Sequence, residues 1–397
     1  MTTLEPVQWD PYDRGLVLDP YPTYRRMRDE TPLYYNKEHD FYAVTRYEDC
    51  ERGLPDWRTF SSARGAILEI IKSGIEIPPG TLIFEDPTNH DLHRRLLSGV
   101  FTVRRINALE PKVRDFCVSV LDPLVGSNRF DLIAEVSAQL PMRVIGMLLG
   151  IPEADQEAAR DSADSSLRTE SGGKMELRGG ANLTNEMFAD YVDWRREHPS
   201  DDLMTELMTA EFEDEHGVRR TLTRDEVLTY VTIVSGAGNE TTGRLIGWMG
   251  SILAQHPEQR REIVDDPSLI PAAVEETLRY EPPGPFLARY VTTDVEFHGQ
   301  TVPEGSTMLF ITGSANRDER RIPDAEKFDI HRKPGPKLTF GMGVHFCLGA
   351  ALARLEGRIA MEEILKRFPK WEVDWVNAKL AETSSVRGWE TLPILTG

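Results

Sequence analysis

The stretch TRDEVLTYVTIVSGAGNETTGRLIGWMGSILAQH, beginning near Thr223, constrains the fold of this chain more than any other segment. From Val227 to Ser235 it is apolar nearly all round, and a helix without a polar face has to be buried among other elements. Unbroken to Gln255, it would run about 50 Å at 1.5 Å per residue, the width of a whole domain. Thr223 and Glu226 fit a capping box at its start. Its middle carries Gly236, Gly238, Glu240, Thr241 and Thr242, residues ill suited to a buried helix interior. The sequence therefore predicts a bend or widened turn there, the kind of defect that accompanies sites.

Other segments with helical periodicity surround it: RRINALEPKVRDFCVSVLDPLV, ANLTNEMFADYVDWRREH, SLIPAAVEETLRYE and CLGAALARLEGRIAMEEILKRF. Shorter β-like pieces lie near HDFYAVTRY, ARYVTTDVEFHGQTV and STMLFITG. The expectation is a mainly α fold with a minor β region, in one domain over residues 1–397. RTESGGKMELRGGAN (168–182) reads as a mobile loop between helices. No apolar run is long enough to cross a bilayer, and MTTLEPVQWDPYDRG has no signal-peptide pattern, so a cytoplasmic protein is expected.

The net charge of −19 argues against nucleic-acid binding. Locally the sign reverses. RRLLSGVFTVRR (94–105) holds four arginines and no acid, and residues 331–370 hold eight Lys/Arg against three acids. Such clusters are ordinarily solvated faces.

Three cysteines, Cys50, Cys117 and Cys347, are far apart and odd in number, which argues against a disulfide framework or a paired-cysteine zinc site. Cys347 stands out, in FGMGVHFCLG at the start of an alanine-rich helix. Helix N–H groups there favour a thiolate, and Gly341 and Gly343 can take positive φ and turn further N–H groups toward sulfur. Gly349 leaves room for something flat. Three readings stand side by side: an inert buried thiol, a nucleophile with His345 as base, or a single axial metal ligand. Nucleotide loops fail, because Thr241 and Phe346 occupy the third-glycine positions of G-x-G-x-x-G and no Walker lysine follows. Glu240 fits either an i,i+4 pair with Arg244 or a buried proton relay beside Thr241. Glu276 and Arg279 in isolation read as a helix-surface pair.

Taken together, Phe340-Gly341-x-Gly343-x-His345-x-Cys347-x-Gly349 resembles the haem-binding signature of the cytochrome P450 family. Ala237-Gly238-Asn239-Glu240-Thr241-Thr242 resembles that family's oxygen-activating segment, and Glu276-Thr277-Leu278-Arg279 its E-x-x-R pair, with Arg332 as third member. DPTNHDLHRR (86–95) resembles the segment that holds a haem propionate. DPYPTYRRMRDETP and ANRDERR match as well, so the resemblance spans the chain. Two departures, Lys337 before the signature and Ile330 two residues before Arg332, lie on the side of the cysteine.

The resemblance implies haem b with Cys347 as its thiolate ligand, and His90, Arg94, Arg289 and His345 on the propionates. It implies room for dioxygen at Ala237 and Gly238, Thr241 holding dioxygen or a water beside it, and Glu240 passing protons inward. Phe340, Gly341 and Gly349 would shape the cofactor's seat, and Glu276, Arg279 and Arg332 would be structural. Ile233, Ala237, Leu287, Ser385 and Val386 would line a substrate pocket, with part of residues 66–77 over it. Arg64 or Lys72 could meet a substrate carboxylate. The implied activity is insertion of one oxygen atom from O2 into a C–H bond of a hydrophobic small molecule. Electrons would come from NAD(P)H through a ferredoxin and its reductase, docking on the basic face that includes Arg105 and Lys337. A monomer without nucleic-acid or membrane partners is expected. The alternative is a haem-thiolate protein that binds ligands or uses peroxide without activating O2.

Overall fold

The computed structural model describes residues 5–78, 80–152, 155–156, 188–214, 216–383 and 385–396. The 168–182 stretch lies outside them. Helices dominate, and those that build the site are α1 (Asn89–Ser98), α2 (Glu110–Leu121), α3 (Gln139–Leu149), α4 (Arg224–Gln255), α5 (Ile270–Tyr280) and α6 (Ala350–Arg367). The α4 helix is the central rod. The capping box forms: Thr223 N donates to Glu226 Oε2 at 2.7 Å, and Glu226 N to Thr223 Oγ1 at 3.3 Å. It satisfies two otherwise orphaned donors at once. The rod packs against α3, α5 and α6, and its apolar residues, from Val227 to Leu253, belong to the largest core cluster.

The expected bend is not there. Residues 224–255 form one uninterrupted α-helix. The widened turn occurs instead in the segment pressed against it, a π-helical turn at Ile133–Ser137. The reason is packing. A Cβ on Gly243 would meet Ser137 O at 2.8 Å, on Gly247 Ile133 Cδ1 at 2.8 Å, and on Gly250 Leu132 Cδ2 at 2.2 Å. The glycines of the rod buy close approach to a neighbour rather than a kink, and tertiary contact overrides their poor propensity. A second difference concerns residues 104–125. The helix breaks at Leu109 into Val103–Ala108 and Glu110–Leu121, because Pro111 has no N–H to continue the first helix and suits the first turn of a new one.

The minor sheet has five strands: β1 (Leu33–Asn36), β2 (Phe41–Val44), β3 (Phe60–Ser61), β4 (Leu287–Val291) and β5 (Thr307–Phe310), in the order β1-β2-β5-β4-β3. The β1–β2 hairpin pairs Leu33 with Val44 and Tyr35 with Tyr42, and β5 joins β2 in parallel. Period-two alternation in β4 buries Arg289 on one face and turns Tyr290 to the other.

Glu276 on α5 ties helices to loops. Its carboxylate takes Arg279 at 2.7 and 2.8 Å and Arg332 Nε at 3.0 Å. Arg279 then donates to the carbonyls of Asn316, Ala325 and Lys327. The helix-surface reading of Glu276 and Arg279 in isolation is corrected: both are buried, and the pair with Arg332 fastens residues 316–332.

Candidate active site at Cys347

The loop before α6 is shaped by two left-handed glycines. Gly341 and Gly343 both sit at φ +67°, where a side chain is strained, and a Cβ on Gly343 would also meet Pro55 Cα at 2.8 Å. The chain thereby turns twice within seven residues, closed by Cys347 N donating to Phe340 O at 2.8 Å and Phe346 N to Gly343 O at 3.1 Å. Cys347 emerges three residues before α6, whose N-cap is Gly349. Burial pushes the Cys347 thiol up, while the Gly349 N–H and the charges of Arg94 and Arg354 pull the other way. Cys50 and Cys117 are fully buried, and burial raises both thiols. Cys347 alone of the three is partly exposed.

Beside this loop four basic side chains converge from three distant parts of the chain: His90 and Arg94 on α1, Arg289 on β4, and His345. The His90 and His345 rings lie 4.5 Å apart. Arg94 donates to Phe346 O at 2.6 Å, which ties α1 to the cysteine loop. His90 Nε2 and His345 Nε2 are buried with no hydrogen-bond partner. Burial, then the charges of Arg289, His90 and Arg94, lower His345 to about 3. Burial lowers Arg289 to about 10, against the opposing charge of Asp86. Buried guanidinium groups and unpaired imidazole nitrogens this short of acids are costly unless an anionic group meets them.

In the middle of α4 the burial relaxes along a stripe of Ile233, Ala237 and Thr241, spaced one helical turn apart, with Ala237 exposed and Ile233, Thr241 and the adjoining Thr232, Gly236 and Gly238 half-buried. Thr241 Oγ1 donates back to Ala237 O at 2.9 Å, a bond that uses its proton and not its lone pairs. Gly238 does not open onto that space; its missing Cβ accommodates Ile145 Cδ1 of α3, which would lie 2.7 Å away. A Cβ on Gly236 would meet nothing within 4 Å. Glu240 is engaged by Arg244, Nη2 to Oε1 at 2.7 Å, with both side chains largely buried. The i,i+4 alternative is thus realised, but inside the molecule, where removing one partner strands the other charge.

The remaining pocket candidates divide. Leu287 reaches the cysteine loop, its Cδ1 lying 3.9 Å from where a Gly341 Cβ would sit. Ser385 and Val386 line a groove with Trp9, Leu16, Val17 and Phe286, none of them part of the α4 stripe. Residues 66–77 contain the helix Leu68–Ser73, which packs against β4 and β5. Arg64 stacks over the Tyr290 ring at 4.0 Å, on the face of β4 opposite Arg289, and Lys72 pairs with Asp40 at 2.9 Å. Neither is aimed at the stripe.

The basic face is corrected most. Lys337 and Arg354 both bind Glu275, Arg105 binds Glu206, and Arg358 binds Glu110 at 2.6 Å and Glu362 at 2.9 Å. Arg367 and Lys366 meet Glu363 at 2.8 and 2.6 Å. Most of the excess positive charge counted along the sequence is answered by acids that lie far away in the chain. Glu275 went unnoticed in the sequence because its neighbour Glu276 carries the E-x-x-R pattern.

Comparison with known proteins settles the lineage. The family model described as cytochrome P450 matches residues 178–385. The chain is 39% identical over 391 residues to the putative cytochrome P450 123 of Mycobacterium tuberculosis, covering 97% of this chain and 96% of that protein. This chain belongs to the cytochrome P450 family. It is 35% identical to the mycinamicin IV hydroxylase/epoxidase of Micromonospora griseorubida, over 89% of each. The solved structure of cytochrome P450 CYP109Q5 from Chondromyces apiculatus superposes with a TM-score of 0.87 at 33% identity, over 98% of each chain. The protein is accordingly a P450 monooxygenase, a class that uses haem b on a cysteine thiolate, redox partners and hydrophobic substrates.

The residues present fit that group. A dianionic edge answers the unpartnered nitrogens of His90 and His345 and the buried Arg289, a thiol stands at the end of a glycine-shaped loop, and the Gly236–Ala237 surface is bare enough for a flat ring. Among the described residues no helix is long and apolar enough to cross a membrane.

Proposed function

We propose that this P450 inserts one oxygen atom of O2 into a C–H bond of a mainly hydrophobic small molecule, R–H + O2 + 2e⁻ + 2H⁺ giving R–OH and water. The observation that carries the reading is the α4 stripe, where an exposed Ala237 lies between the half-buried Ile233 side chain and Thr241 hydroxyl in the middle of a mostly buried rod. When bound, haem b supplies the reductive activation of O2, and thiolate ligation favours cleavage of the O–O bond. The chain's own residues do the rest. Cys347 is the ligand, with the Gly349 N–H directed at its sulfur. His90, Arg94, Arg289 and His345 hold the propionates through charge-assisted hydrogen bonds. Phe340, Gly341 and Gly349 shape the seat on the cysteine side.

Thr241 holds a proton donor or water at the stripe through its lone pairs. Glu240 delivers protons by leaving Arg244 and turning inward, so proton supply is coupled to opening of that pair. Ile233, Ala237 and Leu287 make the apolar wall that excludes water from the reacting carbon. Electrons come from NAD(P)H through a small acidic ferredoxin and its reductase, and the protein acts in the cytoplasm as a monomer. Support for a hydrophobic substrate comes from relatives: one is named a mycinamicin IV hydroxylase/epoxidase, and a neighbour of 33% identity, P450 EryK, was solved as a mutant with erythromycin B.

The engagement of Glu240 by Arg244 favours a second reading, a peroxide-using or ligand-binding haem-thiolate protein. Thr241→Ala separates the two. For a monooxygenase, NAD(P)H consumption continues while product falls at least about tenfold in favour of peroxide. Unchanged coupling between NADH and product removes Thr241 from the proton path.

A further inference from the structure

Far along the chain from Cys347, the turn of the β1–β2 hairpin meets the N-terminal segment. Asn36 joins them. Its Nδ2 donates to Trp9 O at 2.9 Å, while its Oδ1 accepts the backbone N–H groups of Glu38 at 3.0 Å and His39 at 2.9 Å. This bolt brings Asp10, Glu38 and His39 together, with one ligand atom from each lying within 4.8 Å of the others.

His39 is the informative member. Its side chain is 9% exposed, and neither ring nitrogen makes a hydrogen bond. Nε2 lies 3.2 Å from Asp10 Oδ1, yet the ring does not aim an N–H at that oxygen, which already accepts Tyr12 N at 2.8 Å. A nine-tenths buried imidazole nitrogen and a carboxylate oxygen thus stand within one ligand spacing of each other with no hydrogen bond between them, and a third atom, a carboxylate oxygen, lies within 4.8 Å of both. Atoms about 2.0–2.2 Å from a tetrahedral ion lie roughly 3.3–3.6 Å from one another, close to this spacing. Glu38 is exposed and free to close the third position by rotation, and Tyr12 walls one side, its ring edge-on to His39 at 4.9 Å.

We propose that Asp10, Glu38 and His39 form a surface site for a divalent transition-metal ion, which fastens the N-terminal segment to the β1–β2 turn. One imidazole with two carboxylates is a borderline donor set that suits Zn²⁺, whereas Mg²⁺ and Ca²⁺ prefer all-oxygen shells. Water completes the coordination. The site is independent of the haem and of the proposed reaction.

The test is calorimetric titration of the holoenzyme with ZnCl2 near neutral pH, for the wild type, His39→Ala and Glu38→Gln. The second variant changes an exposed side chain and leaves folding intact. One Zn²⁺ per chain is expected to bind saturably well below about 0.1 mM. Each variant is expected to weaken that event at least about tenfold, the lower end of what even an outer partner of a metal ligand contributes. Zn²⁺ should raise the melting temperature of the wild type and not of His39→Ala, with no competition from excess Mg²⁺. Equal Zn²⁺ binding in all three proteins, or none that saturates in the wild type, overturns the site. So does a His39→Ala protein that is merely less stable while its Zn²⁺ isotherm is unchanged.

Discussion

Two regions of this P450 are rich in the same side chains and keep opposite accounts. Around the cysteine loop, His90, Arg94, Arg289 and His345 gather with few acids to answer them, and burial lowers His345 to about 3. On the surface beyond α6, Arg114, Arg358, Lys366 and Arg367 interlock with Glu110, Glu362, Glu363 and Asp122. The first arrangement is costly alone and reads as a seat for an anion. The second is complete in itself and reads as a brace between α2 and α6. The difference teaches that a cation's meaning lies in whether the fold supplies its counter-charge, a fact that no count along the sequence contains.

The sharpest way to break that contrast is Arg289→Leu. If the cluster is poised for an anionic group, the holoprotein should release haem to an apomyoglobin acceptor about ten- to a hundredfold more readily, the worth of a lost hydrogen bond to a charged group. The apoprotein should meanwhile resist denaturant as well as the wild type or better, since a buried charge has been removed. An equal loss of stability with and without haem would make Arg289 a plain structural residue.

A smaller effect is expected at the boundary between the regions. Glu275 bridges Lys337 and Arg354 beside the cysteine loop; burial pushes its carboxyl up, and the bonds from Arg354 and Lys337 more than reverse that. Glu275→Gln should release two cations to an acidic donor, speeding ferredoxin-dependent reduction several-fold at low salt and steepening its salt dependence. A salt-dependent wild type with an unaltered variant would show that these two cations do not face the donor.

The smallest effect belongs to the brace. Burial raises the Glu363 carboxyl, but hydrogen bonds from Lys366, Arg367 and Arg114 outweigh it and hold the group down to about 2. Its native value lies below the unfolded one, so its contribution is full above about pH 4.3 and is lost as pH falls toward 2. The stability gap between wild type and Glu363→Gln, measured by denaturant titration, should therefore shrink over that window. A gap independent of pH would mean that packing, not charge, accounts for the residue.

Much of the site was legible because it is local in the chain. The spacing of Gly341, Gly343 and Cys347 encodes the loop, since positive φ at two glycines is a property of those residues and their neighbours. The capping box of Thr223 and Glu226 is local too, and formed as expected. The pairing of Glu240 with Arg244 and the burial of Glu240 were both readable, but as alternatives to one another, whereas the structure combines them. Ser385 and Val386, placed by resemblance in the pocket, share a groove with the N-terminal segment because Arg387 is held to the carbonyls of Val17 and Leu18 at 2.8 Å each.

The sequence by itself determined the mainly helical class, the buried central rod and the thiol at the head of α6. These follow from periodicity, capping and backbone freedom, which act over a few residues. Only the tertiary structure decided that the rod stays straight while its neighbour widens, and that most of the basic face is neutral. It also decided which cations are left for a cofactor. Each depends in large part on residues tens to hundreds of positions apart meeting at a distance where close packing and Coulomb attraction become strong, as Arg94 meets Phe346, Lys337 meets Glu275 and Arg358 meets Glu110.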